Sequence, residues 1–257
     1  MTSSNTAHIR SPQIGLAFLE PLRMLCEATS LVLTYPLLAT APRGDGHPVM
    51  ALPGFATSDQ MTAMLRGFLS QWGYDVHPLD LGWNFDQHTT GENGEHVAER
   101  IAHIRAKTGR KVSLVGWSLG GVIAREAARR DPDDVRQVVT LGSPFTGNPK
   151  ATNLTHLYQA VTGNDLNADH IQHRYIKGAE PLPMPSSAIY SRTDGITAWE
   201  NCIGSADHQN ENIEVIASHF GFMANPAVFY AVADRLAQVE GKWRKFVPSG
   251  PYRTLFT

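Results

Sequence analysis

Short apolar runs alternate with amphipathic stretches along most of the chain. The runs have the length of strands, whereas the stretches between them carry apolar residues at helical spacing, as at Val97, Ile101 and Ile104. Strands are predicted at residues 48–52, 74–79, 111–115, 136–141, 187–191 and 213–217, and helices at 61–72, 95–107, 120–130 and after residue 225. This alternation predicts an α/β fold with a mostly parallel central sheet flanked by helices.

The alternation breaks in three places, which suggests how the chain is organised. Residues 146–185 contain scattered polar side chains, several histidines and a proline-rich end, and we expect them to form a small cap inserted over the edge of the sheet. Residues 1–47 are predicted to be an N-terminal helical extension packed on the core, and residues 241–257 a C-terminal tail. Residues 48–145 and 186–240 then make up the α/β core.

The apolar segment from Ile14 to Leu38 raises the question of a membrane helix. It is interrupted by charged residues and prolines, namely Glu20, Pro21, Arg23, Glu27 and Pro36. Such interruptions favour a helix that is buried or docked on the protein surface. The chain start also lacks the pattern of a secretory leader. We therefore expect a cytoplasmic protein without stable membrane insertion.

Composition narrows the possible functions. The 257 residues are 42% hydrophobic and 18% charged, with a formal net charge of -2, so the chain lacks the basic excess typical of nucleic-acid-binding proteins. The two cysteines, Cys26 and Cys202, are too few for a disulfide framework and too far apart for a zinc cluster, which leaves one long-range disulfide as the alternative to free thiols. His170 and His173 have the spacing of two ligands on one helical face, but no third ligand accompanies them. No metal or cofactor is predicted.

A serine lies in a glycine-rich turn between a predicted strand and a predicted helix. Gly116, Trp117, Ser118, Leu119 and Gly120 match the G-x-S-x-G motif. A tight turn at this place projects the Ser118 hydroxyl from the carboxyl edge of the sheet, which requires a strained backbone at the serine and small residues two positions away on either side. The alternative is an exposed serine at a glycine-rich helix start. The context favours Ser118 as a nucleophile.

A serine hydroxyl needs a base to take its proton and an acid to orient that base. Of the 11 histidines, His219 alone follows a late predicted strand and precedes a helix, so it is the predicted base. Asp194 directly follows another predicted strand and is the predicted acid. Asp207, Glu211 and Glu214 compete for this role, but Glu214 lies inside a predicted strand and the other two lie late in a long loop.

Acyl transfer also requires donors for the oxyanion of the tetrahedral intermediate, usually two backbone N–H groups. The residue after the nucleophile supplies the first, which is Leu119. The second is expected from the loop after an earlier strand, where Gly54 lets the backbone approach closely, so the N–H of Phe55 is predicted. An ordinary strand-to-helix turn is the alternative for this loop.

These motifs together resemble those of the α/β-hydrolase family, and specifically a bacterial esterase or lipase-like branch. The resemblance spans roughly residues 48 to 240 and is strongest at residues 115–121, 191–195 and 218–219. It implies the α/β-hydrolase fold and a catalytic triad in the chain order Ser118, Asp194, His219. Members often carry His-Gly before the oxyanion residue, whereas this chain has Pro53-Gly54, so the local hydrogen bonding is expected to differ.

The sequence therefore predicts a carboxylic ester hydrolase that acts on a small-molecule ester through an acyl-serine intermediate. No oligomeric state is predicted, and no nucleic acid partner is expected. Two other functions use the same residues or the same fold. One is an acyltransferase with the same triad, which passes the acyl group to an alcohol instead of water. The other is a non-catalytic binding protein built on the hydrolase fold.

Overall fold

The computed structural model describes residues 8–256. Its strands are β1 Pro48–Leu52, β2 Asp75–Pro78, β3 Val112–Trp117, β4 Val135–Leu141, β5 Ser186–Tyr190 and β6 Asn210–Glu214. Its helices are α1 Ile14–Leu38, α2 Ala63–Gln71, α3 Gln87–Thr90, α4 Glu95–Thr108, α5 Leu119–Arg130, α6 Thr155–Thr162, α7 Asp169–Gly178 and α8 Pro226–Leu236. Short 3-10 helices lie at Trp199–Cys202, Phe220–Met223 and Gly250–Leu255.

The six strands form one sheet in the order β2-β1-β3-β4-β5-β6, and every neighbouring pair is parallel. The predicted α/β fold with a parallel sheet is thus confirmed. Because all strands run in the same direction, the segments that follow β1, β3, β5 and β6 emerge at one edge of the sheet. This edge carries the residues that the sequence singled out.

Helices cover both faces of the sheet, which explains why the central strands β1, β3 and β4 are buried along their whole length. On one face, Trp72, Phe222 and Phe229 belong to a core cluster that includes Trp117 of β3. On the other face, residues of α4 and α5 such as Ile101 pack in a second cluster with alternate strand residues. Both clusters are buried from solvent and support the sheet edge above them.

The strand β6 is the one whose predicted position is wrong. It was expected at residues 213–217 but begins at Asn210. The reason is that its first residues are polar yet buried: Asn210 accepts a hydrogen bond from the hydroxyl of Ser186, and Glu211 pairs with Arg235 at 2.7 Å. Buried polar residues with specific partners do not produce an apolar run, so the pattern placed the strand too late.

Helix α1 lies on the surface, with its charged side towards the protein and much of its apolar side towards the outside. Its charged residues Glu20, Arg23 and Glu27 contact the protein, whereas much of its apolar surface is exposed, at Ile14, Phe18, Leu22, Leu25, Val32 and Leu33 among others. No helix within residues 8–256 is both long enough and apolar enough to cross a bilayer.

Candidate active site

Ser118 occupies a sharp turn between β3 and α5. Its backbone has φ 53° and ψ −125°, in the left-handed half of φ space that a residue with a side chain rarely adopts. The two glycines of the turn have no room for a side chain, because a Cβ at Gly116 would collide with the backbone of Gly120 and one at Gly120 with the carbonyl oxygen of Leu52. The strained serine and small neighbours expected from the motif are therefore present.

The structure brings the predicted nucleophile, base and acid into one hydrogen-bonded chain. His219 Nε2 lies 3.0 Å from Ser118 Oγ, and His219 Nδ1 lies 2.7 Å from Asp194 Oδ2. All three side chains are buried, with Ser118 8% exposed and His219 2%. The indole Nε1 of Trp117 donates to the carbonyl oxygen of His219 at 3.0 Å. This bond links the nucleophile elbow, residues 116–120, to the histidine loop, residues 218–221. This arrangement suits transfer of the serine proton to His219.

Asp194 is held by donors on both of its oxygens. Oδ1 accepts the backbone N–H groups of Ile196 and Thr197, each at 2.8 Å, and Oδ2 accepts the hydroxyl of Thr197 at 3.1 Å. Only Oδ2 faces His219. The carboxylate therefore has a fixed orientation, in which Oδ2 is the oxygen that faces the imidazole. Asp207 instead accepts hydrogen bonds within its own loop, from Gln209 and Asn210.

The charge balance around His219 favours the protonated imidazole. Burial lowers the pKa of His219, but the nearby carboxylate of Asp194, its hydrogen bond and the carboxylate of Glu20 raise the pKa, and the net result lies above the usual value. A raised pKa strengthens the base and lets it hold a proton that arrives from Ser118.

The two predicted oxyanion donors flank the serine. Phe55 and Leu119 both border the cavity at Ser118, and neither backbone N–H donates a hydrogen bond to any residue in the described part of the chain. Two free N–H groups beside a nucleophile are what an oxyanion requires. The role of these two N–H groups as an oxyanion hole stays a prediction.

Asn84 supports the oxyanion loop, which comprises residues 53–57. Its side chain donates to the carbonyl oxygen of Pro53 at 2.7 Å, and its backbone exchanges hydrogen bonds with Ala56 and Thr57, each at 2.8 Å. Asn84 is fully buried. Its side chain thus supplies a hydrogen bond to the loop that has Pro53-Gly54 in place of His-Gly.

A small cavity of about 70 Å³ lies over the serine. Its walls combine the elbow and oxyanion loop with mostly apolar residues from the segment between β4 and β5: Pro144, Pro149, Thr152, Leu154, Tyr158, Leu166, Ile171, Arg174 and Tyr175. Helices α6 and α7 of this segment thus cover Ser118. Such mostly apolar walls strengthen electrostatic interactions with a developing oxyanion.

An ion-pair network fastens α7 over the site. Arg174 contacts both carboxylate oxygens of Asp86, at 2.8 and 3.1 Å, and those of Glu126 on α5 at 2.5 and 2.8 Å. Burial raises the pKa of Asp86, but Arg174 and the hydroxyl of Tyr158 lower it by more. The net pKa of Asp86 therefore lies below its usual value. The network spans three separate elements, so spacing along the sequence gives no sign of it.

A larger cavity of about 510 Å³ lies beyond Arg174, and it contains none of the three residues of the hydrogen-bonded chain. His170 and His173 line this cavity. Within residues 8–256 there is no group of three or more histidine, cysteine, aspartate or glutamate side chains arranged to hold a metal ion. Cys26 and Cys202 are both free thiols.

A second Asp-His-Ser chain lies near the starts of β1 and β3. His47 Nδ1 lies 2.5 Å from Asp45 Oδ1, and His47 Nε2 lies 2.8 Å from Ser113 Oγ. Ser113, however, is the second residue of β3, away from the elbow, and is fully buried. No substrate reaches such a hydroxyl. Its hydrogen-bonded chain is structural and provides an internal comparison for the chain at Ser118.

Comparisons with known proteins agree with this architecture. The family model described as the alpha/beta hydrolase fold matches residues 47–170. A pimeloyl-[acyl-carrier protein] methyl ester esterase from Aliivibrio fischeri is 31% identical over 101 residues, which is 39% of this chain and 38% of the esterase. A triacylglycerol lipase from Pseudarthrobacter phenanthrenivorans is 30% identical over 110 residues, covering 40% of this chain and 34% of the lipase. The chain thus matches well under half the length of these curated relatives.

Solved structures extend the likeness to most of the chain. Lipase B of Aspergillus fumigatus superposes with a TM-score of 0.59 at 21% identity, covering 75% of this chain and 53% of the lipase. The monoacylglycerol lipase of Paleococcus ferrophilus gives a TM-score of 0.54 at 18% identity, covering 77% of this chain and 96% of that lipase. At these identities the superpositions bear on the fold. With the family model over residues 47–170 and the sheet order, they show that the chain has the α/β-hydrolase fold.

Proposed function

We propose that this protein hydrolyses carboxylic esters through an acyl-serine intermediate. The observation that carries the proposal is the contact of a strained, cavity-facing serine with a histidine: Ser118 Oγ lies 3.0 Å from His219 Nε2, and Asp194 holds the other ring nitrogen at 2.7 Å. The names of the curated relatives, an ester esterase and a lipase, support the same class of substrate.

In the proposed mechanism Ser118 Oγ attacks the ester carbonyl carbon while its proton passes to His219 Nε2. The carboxylate of Asp194 stabilises the imidazolium that forms. The N–H groups of Phe55 and Leu119 bind the oxyanion of the tetrahedral intermediate. His219 then gives its proton to the departing alcohol, and a water activated by the same histidine releases the acid from Ser118.

The size of the cavity predicts a preference for short acyl groups. A volume of about 70 Å³ holds roughly five to seven water-sized groups, since one water needs about 10–15 Å³. We expect p-nitrophenyl acetate and butyrate to be cleaved with kcat/KM at least about tenfold above the octanoate and palmitate esters, because longer chains do not fit the site. Initial rates over this series test the proposal, with Ser118→Ala giving the background rate.

The same series distinguishes the alternative functions. Addition of a short alcohol leaves the yield of free acid nearly unchanged in a hydrolase, whereas a new ester product detected by mass spectrometry would indicate an acyltransferase. Saturable binding of the esters with no cleavage would indicate a binding protein on the hydrolase fold. A palmitate preference would contradict the short-acyl assignment while leaving ester hydrolysis in place.

The pKa of His219 predicts how activity depends on pH. The base must be neutral to accept the serine proton, and the pKa of His219 is raised chiefly by Asp194, against the effect of burial. We therefore expect kcat/KM to increase with pH through one ionisation above the ordinary histidine value of about 6.5, and then to reach a plateau. A profile measured with and without a chelator checks this. A midpoint below that value, or activity lost with the chelator, would contradict a His219 base.

A further inference from the structure

The polar side of α1 contacts the residues that flank both Asp194 and His219. Arg23 donates to the carbonyl oxygen and hydroxyl of Thr193, at 2.5 and 2.9 Å. Glu27 accepts the N–H and hydroxyl of Ser218, at 2.8 and 3.1 Å. One helix therefore holds the residue before the predicted acid and the residue before the predicted base.

Glu20 joins the two loops through a single carboxylate. Its Oε1 accepts the N–H of Gly195 at 2.8 Å and its Oε2 accepts the N–H of Phe220 at 3.1 Å. These are the residues immediately after Asp194 and immediately after His219. Glu20 is 1% exposed, so a buried charge spans the two loops at a point where both must keep their positions. A buried carboxylate with two backbone donors is a strong, orienting contact.

Helix α1 approaches the acid loop, residues 191–195, so closely that no side chain fits at Gly195. A Cβ at Gly195 would lie 2.6 Å from the backbone of Leu16 on α1. The loops also contact each other, because the hydroxyl of Thr193 donates to the carbonyl oxygen of Ala217 at 3.3 Å. The acid loop, the histidine loop and α1 thus form one packed unit.

We propose that Glu20 is a positioning residue that fixes Asp194 and His219 relative to each other, with Arg23 and Glu27 of the same helix as its supports. The inference rests on the proposed ester hydrolysis and deepens it. Glu20 touches no substrate. It acts through the backbone of both triad loops, and its negative charge adds to that of Asp194 in stabilising the imidazolium of His219.

The effect of the Glu20 charge on His219 can be measured separately from the effect of its hydrogen bonds. Asp194 and Glu20 are the carboxylates that raise the pKa of His219. Burial raises the pKa of Cys202, which lies behind Asp194, so its thiol stays neutral. The imidazole also contacts the hydroxyl of Ser118 and the rings of Trp117 and Phe220. Removing the charge of Glu20 should therefore lower the pKa of His219, since one of two stabilising anions is lost.

The test compares Glu20→Gln with Glu20→Asp in the full chain. In Glu20→Gln the amide accepts from one N–H only and carries no charge, so we expect kcat to fall roughly tenfold with little change in KM, and the acid limb of the kcat/KM profile to move to lower pH. Glu20→Asp keeps the charge but is too short to reach both donors, so kcat should fall without that movement. Glu240→Gln, at an exposed position after α8, is the matched control and should change neither.

A titration of the free protein gives a readout that does not depend on turnover. The imidazole signal of His219 in a histidine NMR spectrum, assigned by its loss in His219→Asn, should titrate at lower pH in Glu20→Gln than in wild type and in Glu240→Gln. If Glu20→Gln does not fold, Arg23→Gln should still lower kcat with KM retained, because it releases only the acid loop.

The outcomes separate the two proposals. A lowered His219 titration in a protein that cleaves no ester would support the role of Glu20 and overturn the proposed hydrolysis. Ester cleavage with kcat, pH limb and His219 titration all unchanged in Glu20→Gln would overturn the role of Glu20. A fall in kcat that tracks only a loss of folded protein, seen by thermal unfolding, would also overturn it.

Discussion

Replacing Ser118 with alanine is expected to lower kcat for a p-nitrophenyl ester by about a million-fold, since the covalent step is lost entirely. The hydroxyl contributes chemistry and little packing: Ser118 borders the cavity, and its Oγ bonds only to His219 among the described residues. The fold should persist, because alanine meets the same positive φ as serine. Stopped-flow measurement of the burst, together with thermal unfolding of the variant, checks both expectations.

The second Asp-His-Ser chain supplies the control. Ser113→Ala removes a serine hydroxyl that bonds to His47 at 2.8 Å in a chain of the same composition. We expect its free energy of unfolding to fall by about 1–3 kcal/mol, because a buried imidazole nitrogen loses its partner, while kcat stays near the wild-type value. An organophosphonate should label Ser118 and leave Ser113 unmodified. Retained turnover in Ser118→Ala, or labelling of another residue, would remove Ser118 from the mechanism.

The elbow was predictable because its geometry is local. Small residues two positions either side of Ser118 follow from the steric demands of one tight turn, and the flanking strand and helix can be recognised from their own residues. The positions of Asp194 and His219 needed one further step, that parallel strands end at a common edge. A three-residue error in β6 did not displace His219, because the histidine lies in the loop after the strand in either case.

The role of Glu20 was not predictable in this way. In the sequence its charge only interrupts an apolar segment, which argues against a membrane helix and says nothing about its partners. Those partners, Gly195 and Phe220, are backbone groups far along the chain. The same holds for Arg174, whose contacts with Asp86 and Glu126 join three elements. Backbone donors carry no side-chain signature, so only the fold reveals such pairs.

Asp194→Asn is expected to have the second-largest effect, a loss of about 10⁴-fold in kcat with KM little changed. The contacts of the carboxylate determine how the amide will lie. Oδ1 accepts two backbone N–H groups at 2.8 Å, so the amide oxygen takes that place and the NH₂ group takes the place of Oδ2, facing His219 Nδ1. His219 must then accept a hydrogen bond at Nδ1 and carry its proton on Nε2, where it no longer receives the proton of Ser118.

The pH profile and a matched variant separate this tautomer effect from a general disturbance. Loss of the anion also lowers the pKa of His219, so the residual activity of Asp194→Asn should have its acid limb at lower pH than the wild type. Asp207→Asn removes a carboxylate that likewise accepts two backbone N–H groups, from Gln209 and Asn210, but has no contact with the histidine. Its kcat should stay within about threefold of wild type, as expected of a surface loop change of under 1 kcal/mol. If Asp194→Asn lowered kcat only slightly and Asp207→Asn lowered it severely, Asp207 would be the acid that orients His219 and the assignment of Asp194 would be wrong.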